Sequence, residues 1–586
     1  MTLMPRRRPV EKSTNHVAVG ERIDFISNVR ANLPVALLLM AATLLVYLPA
    51  LGAEFIWDDD AYLTNNAVLV SPNALARIWF EPTATIQYYP LVFTSFWVEH
   101  HLWGLNPAGY HLVNILLHGI ASVLVWRVLG RMEVPGAAWA AAVFALHPVH
   151  VESVAWVTER KNVLSIVFYL LALRAYLPLI STNAVGAERP ALAMRSYVVA
   201  LLFFVFALLS KTSTVTFPIV LLIITWWRTA RIRLVDFMRA APFFAVSLVA
   251  GLVTSYVEKH HVGAAEVDWT LTAAQRVLLA GRAACFYLGK LVVPVDLAFI
   301  YNRWTIDTAV PLQWVWPFLV VVVLITLAIL HRRIGRGPVV AALYFVVTLM
   351  PILGFVNFFF MGYSFVADHF QYLASLGPIT LLCGLAHASY RRAVRTASIV
   401  VLVTLGAMTF HRAGVFRNSV SLWTDVLAKS PLAARMAHEN LAVHYSDRGL
   451  SSDAIPHFEA ALAIKPDTVD ARLSYAVALH AVGRGDDAIT QLNDVRRQQP
   501  DNFIAAVNLG LFLSEKGRLE EALSHYMQAI RLKPDFATAH FNLARLYVRL
   551  GRTADAMMHY REAVRLDPTD AEAARELDQL VESSRH

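Results

Sequence analysis

From residue 33 to residue 411 the chain alternates long apolar runs with short polar or charged stretches. Beyond residue 435 the apolar positions become intermittent and sit within polar segments that read as helices. The apolar runs lie near 33–51, 109–130, 136–150, 162–180, 196–210, 214–228, 241–257, 313–331, 338–355, 371–389 and 395–411. A spanning helix needs ~20 predominantly apolar residues, and several of these runs are shorter. The pattern nevertheless predicts an all-α chain whose first part is a polytopic membrane domain, 33–411, with about 11 crossings.

Lys and Arg accumulate on the cytoplasmic side of a membrane, which tests that map. Arg6–Arg8, Arg127/Arg131, Arg189/Arg195, RTARIRL with Arg239, HRRIGR and RRAVR all fall on one side of it. The agreement requires 277–294, an apolar segment carrying Arg282 and Lys290, not to cross. A charge at the bilayer centre costs roughly 2.5–3.5 kcal/mol on insertion scales, so a re-entrant or interfacial helix is expected there. Residues 1–32 then form a cytoplasmic tail. The outer face receives loop 52–108, residues 147–161, the SKTS turn at 210–213, residues 258–312, residues 356–370 and everything after the last crossing. Loop 52–108 is too long for a connector, and its Trp and Tyr content suggests amphipathic helices lying in the interface.

The polar end of the chain has a repeat. Pro466, Pro500, Pro534 and Pro568 are spaced 34 residues apart, the tetratricopeptide period. Four repeats follow in phase, 435–468, 469–502, 503–536 and 537–570. Each has a small residue at position eight (Ala442, Ala476, Gly510, Ala544) and an alanine at position twenty (Ala454, Ala488, Ala522, Ala556). Phe458, Leu492, Tyr526 and Tyr560 stand at position twenty-four. Small residues let the two helices of a hairpin approach, and large ones fill the space beyond. Residues 412–434 read as a linker or half repeat, and 571–586 as a capping helix over the last exposed apolar face. Such a solenoid offers an extended concave surface suited to an acceptor or partner protein.

Composition agrees with a chain largely in lipid. Of 586 residues 57% are hydrophobic and 16% charged, with mean hydropathy +0.49, whereas soluble domains carry about 25% charged residues. The net charge of +8 is accounted for loop by loop, and no nucleic-acid partner is expected. Cys285 and Cys383 both lie in apolar runs, which excludes a disulfide framework or a thiolate metal site. The basic N-terminus leads into no short cleavable core, so the first apolar run is expected to remain as a signal anchor. Richness in alanine and arginine points to a bacterium, hence to an inner membrane with the repeats on the periplasmic side.

The chemistry-bearing patterns share the predicted outer face. They are FIWDDDAYLTNN, the YYPLVFTSFWVEHHLWGLNPAGYHLVNILLHG segment, FALHPVHVESVAWVTERKN, LLSKTSTVTFP and VADHFQYLASLG. Paired aspartates alone are a weak signal; HPVH followed by ES and ERKN is the most specific piece. Together, and in this order with the repeats behind them, they resemble the membrane O-mannosyltransferases with transmembrane and tetratricopeptide regions. That family lies within the GT-C class of polytopic glycosyltransferases that use lipid-linked sugars. The resemblance covers nearly the whole chain. Its diacidic motif falls on Asp58 and Asp59, with Asn65 and Asn66 as the later asparagines and Asp60 left over. Two departures stand out: the lysine motif reads KT, and His369 occupies the place of an arginine in the late motif.

The resemblance implies transfer of a sugar, mannose by family association, from a polyprenyl phosphate to Ser or Thr hydroxyls of proteins. Such a reaction needs a base for the hydroxyl and cations for the departing phosphate. Direct displacement inverts the anomeric centre and forms no glycosyl-enzyme. Asp58 or Asp59 is the expected base. Arg160, Lys161, Lys211 and His369 are the candidates for phosphate contact. His147 and His150 are expected to bind substrate or fix the turn around Pro148, with Glu152 in the same motif, and Asp368 to orient His369 or a lysine. No spacing suits a metal, and no cofactor beyond the lipid-linked donor is expected. Two other readings stay open: a glycan- or lipid-directed glycosyltransferase of polymerase or ligase type, and a non-catalytic membrane scaffold working through its repeats.

Overall fold

In a computed structural model of the chain, residues 32–180, 190–262, 271–389 and 392–584 are described. The tail 1–31 with Arg6–Arg8, together with Arg189 and Arg391, lies outside them. The described residues are helical and contain no strand. The chain forms two compact units, one ending at Leu422 and the other beginning at Trp423.

Six helices of the first unit are long and apolar enough to cross a membrane: Pro107–Arg131, Val157–Ile180, Ala191–Ser210, Leu234–His260, Pro311–Ile334 and Arg392–Val415. Shorter apolar helices, Asn32–Val46, Ala137–Leu146, Gly337–Ile352 and Leu376–Ala388, accompany them. The core of the bundle pairs the 107–131 helix with those at 137–146 and 160–180, and the 160–180 helix with 190–210. The 311–334 helix instead leaves Leu312, Phe318, Ile325 and Ile329 exposed, the pattern of a face solvated by lipid rather than water.

The charged apolar segment is a continuous helix, Ala273–Val292, and is not among the helices long and apolar enough to cross. It is capped at Thr272, whose hydroxyl accepts the Gln275 backbone N–H. Arg282 lies over the Trp304 ring at 4.3 Å. Gly281 lets the helix meet the first turn of the α-helix Val315–Ile334: a Cβ there would lie 2.4 Å from the Pro317 backbone nitrogen. Backbone cannot yield as a side-chain tip does. Gly281→Ala is therefore expected to lower the unfolding temperature of the solubilised protein, by an overpacking cost of ~1–3 kcal/mol.

Between the Asn32–Val46 and Pro107–Arg131 helices the chain folds into short helices, Ala74–Phe80 and Pro90–Trp103. Tyr62, Phe93, Phe96 and Tyr110 form its core, with the Tyr62 and Phe93 rings stacked at 5.2 Å.

The second unit is a solenoid of helical hairpins. Its pairs are Ala434–Asp447 with Ser451–Ile464, Val469–Ala481 with Gly485–Gln498, Phe503–Glu515 with Leu519–Leu532, and Ala537–Arg549 with Thr553–Leu566. Ala571–Ser583 closes the end against the last pair. Each second helix stops two residues before its repeat proline, which cannot continue a helix. Each hairpin turns at Gly449, Gly483, Gly517 or Gly551, with φ from +73° to +84°, a conformation that costs glycine nothing. At position eight Gly510 abuts the Tyr526 ring of position twenty-four, the packing that the repeat pattern predicts.

Candidate active site

The aspartate-rich loop is set by one unusual residue. Trp57 adopts φ +46°, a region that costs a bulky residue of order 1–3 kcal/mol and persists only where surroundings enforce it. Here its indole stacks on Trp156 at 5.5 Å and meets the edge of Phe299 at 5.1 Å. The turn sends three successive carboxylates to three environments. Asp59 is fully buried. Its Oδ2 accepts the Ile56 N–H at 2.9 Å, and its Oδ1 accepts the Thr158 N–H at 2.8 Å and the Thr158 hydroxyl at 2.6 Å. It staples the loop to the turn before the 160–180 helix. Asp60 is exposed and accepts the Thr64 hydroxyl. Asp58 is half-buried and faces a cavity.

That cavity has a volume of about 440 Å³. Asp58, Glu159, Lys161, Lys211, Glu258 and His369 line its charged part, and Pro351, Ile352, Val356 and Phe359 line an apolar stretch. Glu159 is the hub. Its Oε1 lies 3.0 Å from Lys161 Nζ and 3.8 Å from His369 Nε2, and its Oε2 lies 3.2 Å from Lys211 Nζ. Asn162 donates to the same Oε2 at 2.5 Å and accepts Lys211 Nζ at 2.7 Å. Lys161 Nζ also sits over the Tyr62 and Trp156 rings, at 5.4 and 5.8 Å. Glu152 holds His369 from behind, accepting its backbone N–H at 3.1 Å and pairing with Nδ1 at 2.8 Å.

Burial pushes the Asp58 carboxyl up from its ordinary range, against the pull of Lys161. It also pushes Asp59 up to about 7, although the Ile56 and Thr158 donors oppose it. Burial lowers the Lys211 ammonium to about 8, with Glu159 acting the other way.

Other residues singled out from the sequence are engaged elsewhere. Arg160 is wholly buried and turned from the cavity. Its guanidinium binds Glu99 through both Nη atoms, Asn114 Oδ1, Ser95 Oγ and the Tyr110 carbonyl. His147 Nε2 lies 3.0 Å from the Leu291 carbonyl, while its Nδ1 accepts the Val149 N–H. His150 bridges the Phe144 carbonyl and the Ser375 hydroxyl. Asp368 accepts the Tyr301 hydroxyl at 2.9 Å, and burial followed by the Glu152 charge pushes it up to about 7. Among the described residues no three His, Cys, Asp or Glu side chains are grouped to hold a metal ion.

Glu159 and Asn162 belong to this cluster without being singled out by the sequence motifs. Both stand inside the ERKN stretch, and their signal was an unpaired acid next to two cations. Only the fold brings Lys211 and His369 to them.

Tetratricopeptide repeat profiles match residues 448–509, 510–551 and 537–577. Along more of the chain, it is similar to a protein O-mannosyl-transferase of Caenorhabditis elegans, 25% identical over 73% of this chain and 62% of that protein. A mouse protein O-mannosyl-transferase is 26% identical over 71% of this chain and 64% of its own length. A human one is 24% identical over 74% of this chain and 55% of its own. The chain thus spans less than two thirds of the length of these curated relatives. This likeness and the six apolar helices make it an integral membrane protein.

Proposed function

Since the chain is a relative of the protein O-mannosyl-transferases over most of its length, we propose that it is a membrane glycosyltransferase that moves a sugar from a polyprenyl phosphate to protein hydroxyls. The observation that carries this reading is a half-buried carboxylate, Asp58, sharing one cavity with Lys161, Lys211 and His369. The apolar stretch at 351–359 beside the charged groups suits a ligand that is a phosphate at one end and a hydrocarbon at the other.

In this reading Asp58 takes the proton of a Ser or Thr hydroxyl as its oxygen bonds to the anomeric carbon. The bond from that carbon to the phosphate oxygen breaks on the opposite side. The phosphate leaves with the electron pair, toward Lys161, Lys211 and His369. Cations fixed in a cavity sheltered from water act on that charge without reorganising. One displacement inverts the anomeric centre. The site lies on the periplasmic face of a bacterial inner membrane, with the N-terminus cytoplasmic, and the repeats bind the acceptor or a partner protein.

The test is reconstitution of the purified protein in vesicles with a radiolabelled mannosyl polyprenyl phosphate and a Ser/Thr-rich polypeptide. The expected product is an O-linked hexose on the polypeptide, of anomeric configuration opposite to the donor's. Label passing only to glycan or lipid would replace the acceptor class, and no transfer by folded protein would overturn the enzymatic reading.

A further inference from the structure

We propose that Glu159 is a positioning residue, whose carboxylate aims Lys161, Lys211 and His369 into the cavity as one preset cradle for the donor's phosphate; the proposal rests on the transferase reading above. Glu159 has no solvent exposure, so its charge must be balanced by the groups around it. Those groups come from three separate parts of the chain: Lys161 opens the 160–180 helix, Lys211 follows the 190–210 helix, and His369 lies in the Asp368–Gln371 turn. Among the described residues neither lysine makes an ion pair with any other carboxylate. Asn162 closes the cradle, since its amide donates to Glu159 and to the His369 carbonyl at 3.1 Å while its oxygen takes Lys211. Glu152 fixes His369 through Nδ1, which leaves Nε2 directed at Glu159.

The arrangement of charge suits a transient anion. Within the paired cluster two lysines share the single carboxylate of Glu159, while Asp58 and Glu258 line the same cavity without, among the described residues, an ion pair to either lysine. A phosphate entering between the lysines meets two cations already held in place. Without Glu159 the two ammonium groups would face each other in a buried site, and burial favours loss of a proton from one of them. Lys211 is the one poised for that loss, because burial already holds it at about 8. The charged groups around it are Glu159, Lys161 and Glu152, with Asp58, Glu258 and His369 on the same cavity wall or against it. Glu159 raises the Lys211 value, so removing its charge lets that value fall further. Transfer that needs the Lys211 cation then fails at a lower pH.

The experiment compares the full-length wild type, Glu159→Gln and Glu159→Asp in vesicles across pH. It also measures the pH dependence of Lys211 acylation by mass spectrometry in protein without donor. Glu159→Gln is expected to reduce kcat roughly 10–100-fold, as loss of a residue orienting a primary contact does. Its alkaline limb and its Lys211 labelling midpoint should both move acidward by ~1–3 units, the effect of one opposite charge at this distance. Glu159→Asp, with its charge retained but drawn back, should move both less. An alkaline limb and a labelling midpoint unchanged in folded Glu159→Gln overturn the role. Should that variant not fold, Glu159→Asp decides in its place: a smaller acidward shift supports the role and an unmoved limb overturns it. A wild type that transfers no sugar but shows the labelling shift on Glu159→Gln separates failure of the transferase reading from failure of the cradle.

Discussion

Asp58→Asn is expected to abolish sugar transfer while the protein stays folded, and Asp59→Asn to weaken the fold first. A positioned base contributes ~10²–10⁴-fold to a proton-transfer step, so the Asp58 variant should lose about that factor in kcat. Among the described residues no side-chain hydrogen bond is seen at Asp58, which borders open cavity. Asp59 differs: three donors converge on its two oxygens, two on Oδ1 and one on Oδ2. An asparagine has a single acceptor oxygen, so at least one buried N–H or O–H faces an NH₂ group, at a cost of ~1–3 kcal/mol. The measurements are transfer rate and thermal unfolding of the two solubilised variants. The wild-type rate should rise with pH as Asp58 loses its proton and fall as Lys211 passes about 8; Asp58→Asn removes the acidic limb of any residual activity. Transfer retained in Asp58→Asn, and lost in an Asp59→Asn protein of unchanged melting temperature, would exchange the two roles.

Why the sequence left that pair unresolved is a matter of geometry. Helical periods and turn residues are local, so the apolar runs and the 34-residue proline register announce helices and hairpins directly. The separation of Asp58 from Asp59 depends on one positive φ at Trp57 and on Thr158, which is 99 positions further along. Neither leaves a local trace. The same holds for Arg160 and Lys161, adjacent cations that the motif presents as equivalent. They begin one helix, where successive side chains diverge by about 100°, so one enters the cavity and the other the wall behind it. His147 and His150 read as polar groups near a site, yet their ring nitrogens are taken by backbone carbonyls, a backbone N–H and a serine. Glu159 was hidden for the opposite reason: an acid amid cations looks like ordinary surface charge until burial is known.

Arg160 carries the second large effect. Its guanidinium joins the 90–103 helix, through Glu99 and Ser95, to the 107–131 helix, through Asn114 and the Tyr110 carbonyl. Arg160→Met leaves the Glu99 carboxylate, 4% exposed, without its cation. Breaking a buried pair from one side costs ~3–5 kcal/mol, a large share of the ~5–15 kcal/mol that stabilises a folded domain. The single variant is therefore expected to be recovered in low yield with a strongly reduced unfolding temperature. The deficit should shrink on acidification. Burial pushes the Glu99 carboxyl up in the folded state, and without Arg160 nothing offsets that, so the folded chain gains protons relative to the unfolded one as pH falls. Glu99→Leu combined with Arg160→Met removes both charges, and such replacements are often neutral or stabilising. The double variant should regain the wild-type unfolding temperature and, because Arg160 faces away from the cavity, transfer as well. A double variant that folds normally but transfers no sugar would mean that this arginine reaches the donor after all.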